Sequence, residues 1–133
     1  MMEHVGNYSH KVTTQLSYDD AIEKVTGLLK EQGFGILTEI DVKATLKEKI
    51  DVDYKPYKIL GACNPPFAHK ALEAEQMAGV FLPCNVVVWD EGDHRVVTAL
   101  DARIMGNMMD DPTIREIAEE VNGRVTKALS ALE

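Results

Sequence analysis

The chain has 133 residues, 45% apolar and 27% charged, with a net charge of −8. That length favours one domain spanning residues 1–133, able to bury a core without staples, and two cysteines are too few for a secreted disulfide framework. The acidity argues against a nucleic-acid partner, which needs a basic surface to displace counterions. No apolar run is long enough for a membrane span, and the start MMEHVGNYSH lacks the pattern of a secretory signal, so a cytoplasmic protein is expected.

In chain order, Tyr8 to Leu16 reads as a first strand with β-branched Val12, Thr13 and Thr14. His4 and His10 fall near the chain end and are expected to be exposed. Ser17 offers a helix cap, and Ala21, Ile22, Val25, Leu28 and Leu29 then recur at helical spacing until Gly33, a natural stop. Gly33-Phe34-Gly35 is a helix stop and strand start, not a phosphate loop. Phe34 to Val42 alternates, predicting a strand with Ile36, Thr38, Ile40 and Val42 on a buried face and Glu39 and Asp41 toward solvent. Lys43 to Ile50 suits a short helix. Its lysines, with Lys55 and Lys58, are interrupted by Glu48, Asp51 and Asp53 and read as solvated surface.

Tyr57 to Cys63 is strand-like, and Asn64 caps a helix that begins Pro65-Pro66 and runs to about Glu75. Asn85 to Trp89 and Arg95 to Leu100 form a hairpin around Glu91-Gly92-Asp93. Ile104 to Asp111 is expected to be a methionine-rich loop. Asp111 or Thr113 then opens a last helix with apolar Ile114, Ile117, Ala118, Val121, Val125, Ala128, Leu129 and Leu132 on one face. Asn122 is placed on the opposite, polar face with Arg115, Glu119 and Glu120. Gly123 falls there too and has no evident reason. Five strands, two long helices and two short ones give an α+β class: a mostly antiparallel sheet with helices on one face.

The blocks "GFGILTEIDVKATLKEKI", "YKILGACNPPFAHKALEAE" and "LPCNVVV" resemble the domain-of-unknown-function 302 family of bacteria and archaea over roughly Gln15 to Leu100. The resemblance implies a curved antiparallel sheet backed by a long C-terminal helix, similar to the TATA-box-binding-protein type, often as a homodimer. It carries no activity. It also favours antiparallel strands after Tyr57 and before Asp90.

Candidate chemistry centres on the two cysteines, each followed by asparagine: Cys63-Asn64 and Cys84-Asn85. If their strands are antiparallel neighbours, the end of one meets the beginning of the other and the thiols approach. Cys63 precedes a helix N-terminus, whose dipole favours a thiolate, and His69 in the same helix would add charge or act as a base. Cys63 and His69 are thus candidate catalytic groups, and Cys63, Asn64, His69, Cys84 and Asn85 a candidate ligand site. The bland reading is buried cysteines and capping asparagines. Zinc is possible at Cys63, Cys84 and His69 with one more ligand or a water, but there is no C-x-x-C and no second His at a ligand spacing, so no cofactor is assigned. Met105, Met108 and Met109 suit copper(I) in type but more simply fill gaps. P-loop, dinucleotide, zincin and serine-hydrolase motifs are absent. Three functions compete: a dimeric module binding a small ligand or partner, a thiol-dependent redox or sulfur-handling protein using Cys63, and a structural dimer.

Overall fold

Among the described residues six strands, not five, build the sheet. The computed structural model describes residues 2–133. Along the chain lie β1 (Glu3–Val5), β2 (Ser9–Thr14), α1 (Tyr18–Glu31), β3 (Gly35–Asp41), α2 (Val42–Ile50), β4 (Tyr57–Cys63), α3 (Pro65–Ala74), a 3-10 turn (Gln76–Phe81), β5 (Cys84–Asp90), β6 (Arg95–Leu100), α4 (Arg103–Met109) and α5 (Pro112–Ser130). The sheet order is β1-β2-β6-β5-β4-β3, and every neighbouring pair is antiparallel. This is the expected α+β layer with a long C-terminal helix.

The caps are the ones the sequence offers. Ser17 Oγ accepts from Asp20 N at 3.1 Å to start α1, and Asp111 Oδ1 accepts from Ile114 N at 3.0 Å to start α5. Gly33 takes a φ of 89° just past α1. Helical spacing then turns Ala21, Val25 and Leu29 of α1 inward, with Ile114, Ala118, Val121, Val125 and Leu129 of α5. They meet the inward residues of the central strands: Val12, Leu60, Val86, Val88, Val97 and Ala99. Each fully enclosed Val or Leu here contributes about 1.5–3 kcal/mol of apolar burial.

Three expectations give way. First, β1 is a three-residue edge strand that pairs with β2, too short to show a period. Second, β3 has no buried face. It is the other edge, and its register with β4 shifts between Ile36 and Thr38. Leu37 is the extra residue, so Thr38 and Ile40 change sides, while Glu39 moves to the helix side and meets Lys58 at 2.8 Å. Ile40 is left half exposed. Third, the methionine segment is helix α4. Ala102, at the cap position, makes no side-chain bond, and the carboxylate one residue earlier does the capping instead: Asp101 Oδ1 accepts from Arg103 N at 3.0 Å. Met105 enters the core, Met109 packs against it and Met108 stays exposed, consistent with gap filling rather than a metal site. A Cβ on Gly106 would lie 2.8 Å from Arg115 Cα, which is how closely α4 meets α5.

Candidate functional site

The cysteines do come together. β4 and β5 are antiparallel neighbours with Ala62 opposite Cys84, so Cys63 is one step along from that pair. Both cysteines line a cavity of about 30 Å³ walled also by Phe34, Ala62, Phe67, Met105 and Val121. That space admits a water-sized object and is about tenfold below the smallest usual ligand pockets. Cys84 is 8% exposed, and Cys63 is half-buried. Asn64 caps α3 as expected: its Oδ1 accepts from Phe67 N and its Nδ2 donates to Gln32 O, both at 3.5 Å.

The electrostatics run against the expected thiolate. Burial pushes the Cys63 thiol up from its ordinary value. Burial, then the neighbouring Cys63, pushes Cys84 up to about 11. A helix N-terminus contributes only a partial charge, and in this apolar wall loss of hydration outweighs it.

The other two candidates lie elsewhere. Phe67 and Ala71 are one turn apart and face inward, so His69, two residues after Phe67, points away from them. Its side chain is 74% exposed and lies 3.4 Å from Glu73 Oε1. Asn85 follows Cys84 along a strand and so faces the other side of the sheet, exposed. Only Cys63, Asn64 and Cys84 of the five share the cavity. The zinc set with His69 therefore does not assemble, and among the described residues no cluster of three or more His, Cys, Asp or Glu is placed to hold a metal ion.

His69 belongs instead to an open groove of about 900 Å³ between α3 and α5. Phe67, Ala74 and Ile117 supply its apolar lining; Lys70, Glu73, Glu116, Glu119 and Glu120 supply its charge. Phe67 and Ile117 also line the cysteine cavity, so they form the partition between the two spaces.

A second cluster escaped the sequence reading. His10 is fully buried, not exposed, and Asn122 is buried too. His10 Nε2 lies 2.7 Å from the Asn122 amide and 3.5 Å from Asp101 Oδ2. Arg103 grips Asp101 through Nε and Nη2, the shortest contact being 2.7 Å. Burial opposes ionisation of Asp101, but the Arg103 hydrogen bonds outweigh it and hold the carboxyl below its ordinary pKa. At the outer end, His4 Nδ1 lies 2.6 Å from His10 Nδ1. With its nitrogen toward His10 and Asp101 Oδ1 (3.2 Å) and its oxygen toward Arg103 Nε (3.3 Å), the Asn122 amide matches each donor to an acceptor. The signal was present. His10 occupies the inward position of the alternation His10, Val12, Thr14, and Asn122 continues the α5 stripe Ala118, Val125, Leu129.

Comparison with known proteins gives a family and a structure. The family model described as "Domain of unknown function DUF302" matches residues 10–132, so the likeness runs on through α5, beyond the Leu100 limit drawn from the sequence blocks. No curated protein matches. The crystal structure of an uncharacterized conserved DUF302 protein from Bacillus stearothermophilus is similar with a TM-score of 0.89 and 30% identity, covering 96% of this chain and 100% of that one. Sequence and fold together therefore place this chain in the DUF302 family.

Proposed function

We propose that the protein is a cytoplasmic binding module whose ligand sits in the α3–α5 groove, and that the ligand is a small organic cation with an apolar body. The groove itself is the observation that carries this reading: about 900 Å³, with Phe67, Ala74 and Ile117 against four glutamates and one lysine. That volume suits a small molecule, whereas the cysteine cavity does not. Glu73 is met by His69 and Glu120 by Arg124, while Glu119 feels the Arg103 charge without a salt bridge and Glu116 makes none among the described residues. A bound ammonium group would offset their like charge. The rival thiol reading rests on Cys63. Its raised pKa weighs against it, since the thiolate is the nucleophile.

The test uses hexylammonium and hexanoate as probes, followed through the NMR signals of Phe67 and Ile117. Hexylammonium is expected to shift both residues in a saturable way, and hexanoate to do so at least several-fold more weakly. Glu116→Gln with Glu119→Gln removes the difference. Equal response to both probes, or none, overturns the reading.

The module is proposed as a homodimer through the face of the sheet away from α1 and α5. Thr38, Ile59, Val87, Trp89 and Thr98 run across the middle of that face without a charge, on a chain carrying −8, and Lys11 of β2, beside Thr98, is the first charged residue on that side. Interface cores are depleted of charge in this way, and a two-fold pair would keep the acidic surfaces apart. Light scattering at about 100 μM is expected to give twice the chain mass, and Val87→Lys to halve it. A monomer at that concentration removes the dimer.

A further inference from the structure

We propose that His4 and His10 form a proton-operated latch that fastens β1 to the sheet: one added proton is absorbed with β1 in place, and a second releases it. The geometry is particular. β1 is three residues long at the sheet edge, and His4 stands directly opposite His10 in the pairing with β2. Their Nδ1 atoms are 2.6 Å apart, and the rings meet edge to face at 4.7 Å between centroids. Such a contact is a hydrogen bond only when one nitrogen carries a proton and the other does not.

With both rings neutral, Asn122 donates to His10 Nε2, so the His10 proton sits on Nδ1 and is donated to His4 Nδ1. Adding one proton changes the inner end. His10 Nε2 becomes a donor and the Asn122 amide turns its oxygen toward it, giving up its bonds with Asp101 Oδ1 and Arg103 Nε, while Asp101 Oδ2, 3.5 Å away, faces the new charge. The Nδ1–H···Nδ1 bond survives, because a single proton between the two rings is still enough. Adding a second proton places N–H against N–H and cation against cation. The bond is lost, and His4, exposed at the edge, is the ring free to leave.

The groups facing His10 come from three sides: His4 from β1, Asp101 and its partner Arg103 from the segment after β6 and from α4, and uncharged Asn122 from α5. Glu119 of α5 bears on this set only through Arg103.

The experiment follows the full chain by NMR from pH 8 to pH 5, reading the imidazole nitrogens, the Asn122 side-chain amide and the backbone of residues 3–5. The first step is expected to move the Asn122 amide while β1 shifts stay strand-like. The second is expected to free β1, with the detached fraction rising about tenfold per pH unit, as uptake of one proton requires. His4→Asn keeps a neutral hydrogen-bonding side chain at the edge. It is expected to abolish the acid release of β1 and to preserve the Asn122 response. Three results overturn the latch: β1 staying paired after both rings are charged, His4→Asn releasing β1 over the same pH range, or core methyls of Val97 and Ile114 reporting global unfolding before the second proton is taken up.

Discussion

Two buried corners of this sheet hold its most reactive residue types, and they are built on opposite principles. At the β4–β5 end, two thiols sit in an apolar wall around about 30 Å³ of space, and burial raises both of their pKa values. On the β2–β6 side, His10, Asn122, Asp101 and Arg103 are wired to one another, and Asp101 stays ionised despite burial. Cysteine tolerates enclosure without partners because its thiol is a weak hydrogen-bonding group. An imidazole or a carboxylate does not, so it is enclosed only with its network. Removing one member should therefore be mild at the first corner and severe at the second.

The largest expected effect is Asp101→Ala. It strips the Arg103 guanidinium of its carboxylate and leaves the Asn122 amide short of an acceptor. Breaking a buried pair costs about 3–5 kcal/mol. The Arg103 side chain is 41% exposed and regains some hydration, so about 2–4 kcal/mol is expected here. Cys84→Ala is expected to lose only about 1 kcal/mol, at the low end for removing a small buried group. Urea unfolding of the two variants measures both. Similar losses would mean that the two corners do not differ as described.

Next in size is a pH effect that separates the corners by direction. The unfolded Cys84 thiol ionises near pH 9 and the folded one near about 11, so between them the unfolded state binds fewer protons. Stability from this thiol is complete below pH 9 and is lost as pH rises toward about 11, by roughly 2–3 kcal/mol at most. Asp101 has the opposite sign: its lowered pKa gives stability that is present above its unfolded value of 3.8 and lost as pH falls below it. Tyr18, raised to about 12, adds to the alkaline loss above its unfolded value of 10.0. From pH 9 to 10 the loss thus comes from the two thiols, Cys63 being raised as well, before Tyr18 joins. Thermal unfolding of Cys84→Ala should be flatter than wild type there. An equal slope would show that the thiol is not enclosed as described.

The legibility of the two corners differed for a physical reason. The cysteine corner could be read because it depends on strand ends: Cys63 closes a strand, Cys84 opens the next, and antiparallel pairing brings end to beginning. Asn64 was legible as a cap for the same local reason. Helix phase was the harder matter. His69 is close to Cys63 in sequence, but only the inward turn of Phe67 and Ala71 shows that it points away. The network joins residues separated by up to 112 positions, and no local pattern links them. The two inward polar positions, His10 and Asn122, were visible breaks in apolar stripes. A polar residue in such a stripe marks either a misjudged face or a buried network, and here it was the network. At β3 the strand was legible but its buried face was not: one inserted residue, Leu37, breaks the alternation and moves Thr38 and Ile40 to the other side.

A smaller effect tests whether Asn122 holds its neighbour Gly123 in place. A Cβ at Gly123 meets nothing within 4 Å, so the backbone there needs no glycine. Gly123→Ala is expected to stabilise α5 by about 0.5–1 kcal/mol, the usual helix-interior difference. Thr126 Oγ1 already accepts the geometry of that turn, donating to Asn122 O at 2.9 Å and to Gly123 O at 3.1 Å. A destabilised variant would show that the network constrains the helix backbone beside it.

The smallest expected effect belongs to His69, and its smallness is the point. Were His69 part of the cysteine corner, its removal would slow Cys63 alkylation and flatten the pH dependence of that reaction near neutrality. In the structure it faces the α3–α5 groove and Glu73, with both side chains 74% exposed. A screened surface pair of this kind contributes little. His69→Ala is therefore expected to leave the Cys63 alkylation rate unchanged from pH 6 to 9, since that rate follows the thiolate fraction set by burial. A several-fold change would place an imidazole at the thiol and make the cysteine corner a wired site like the other.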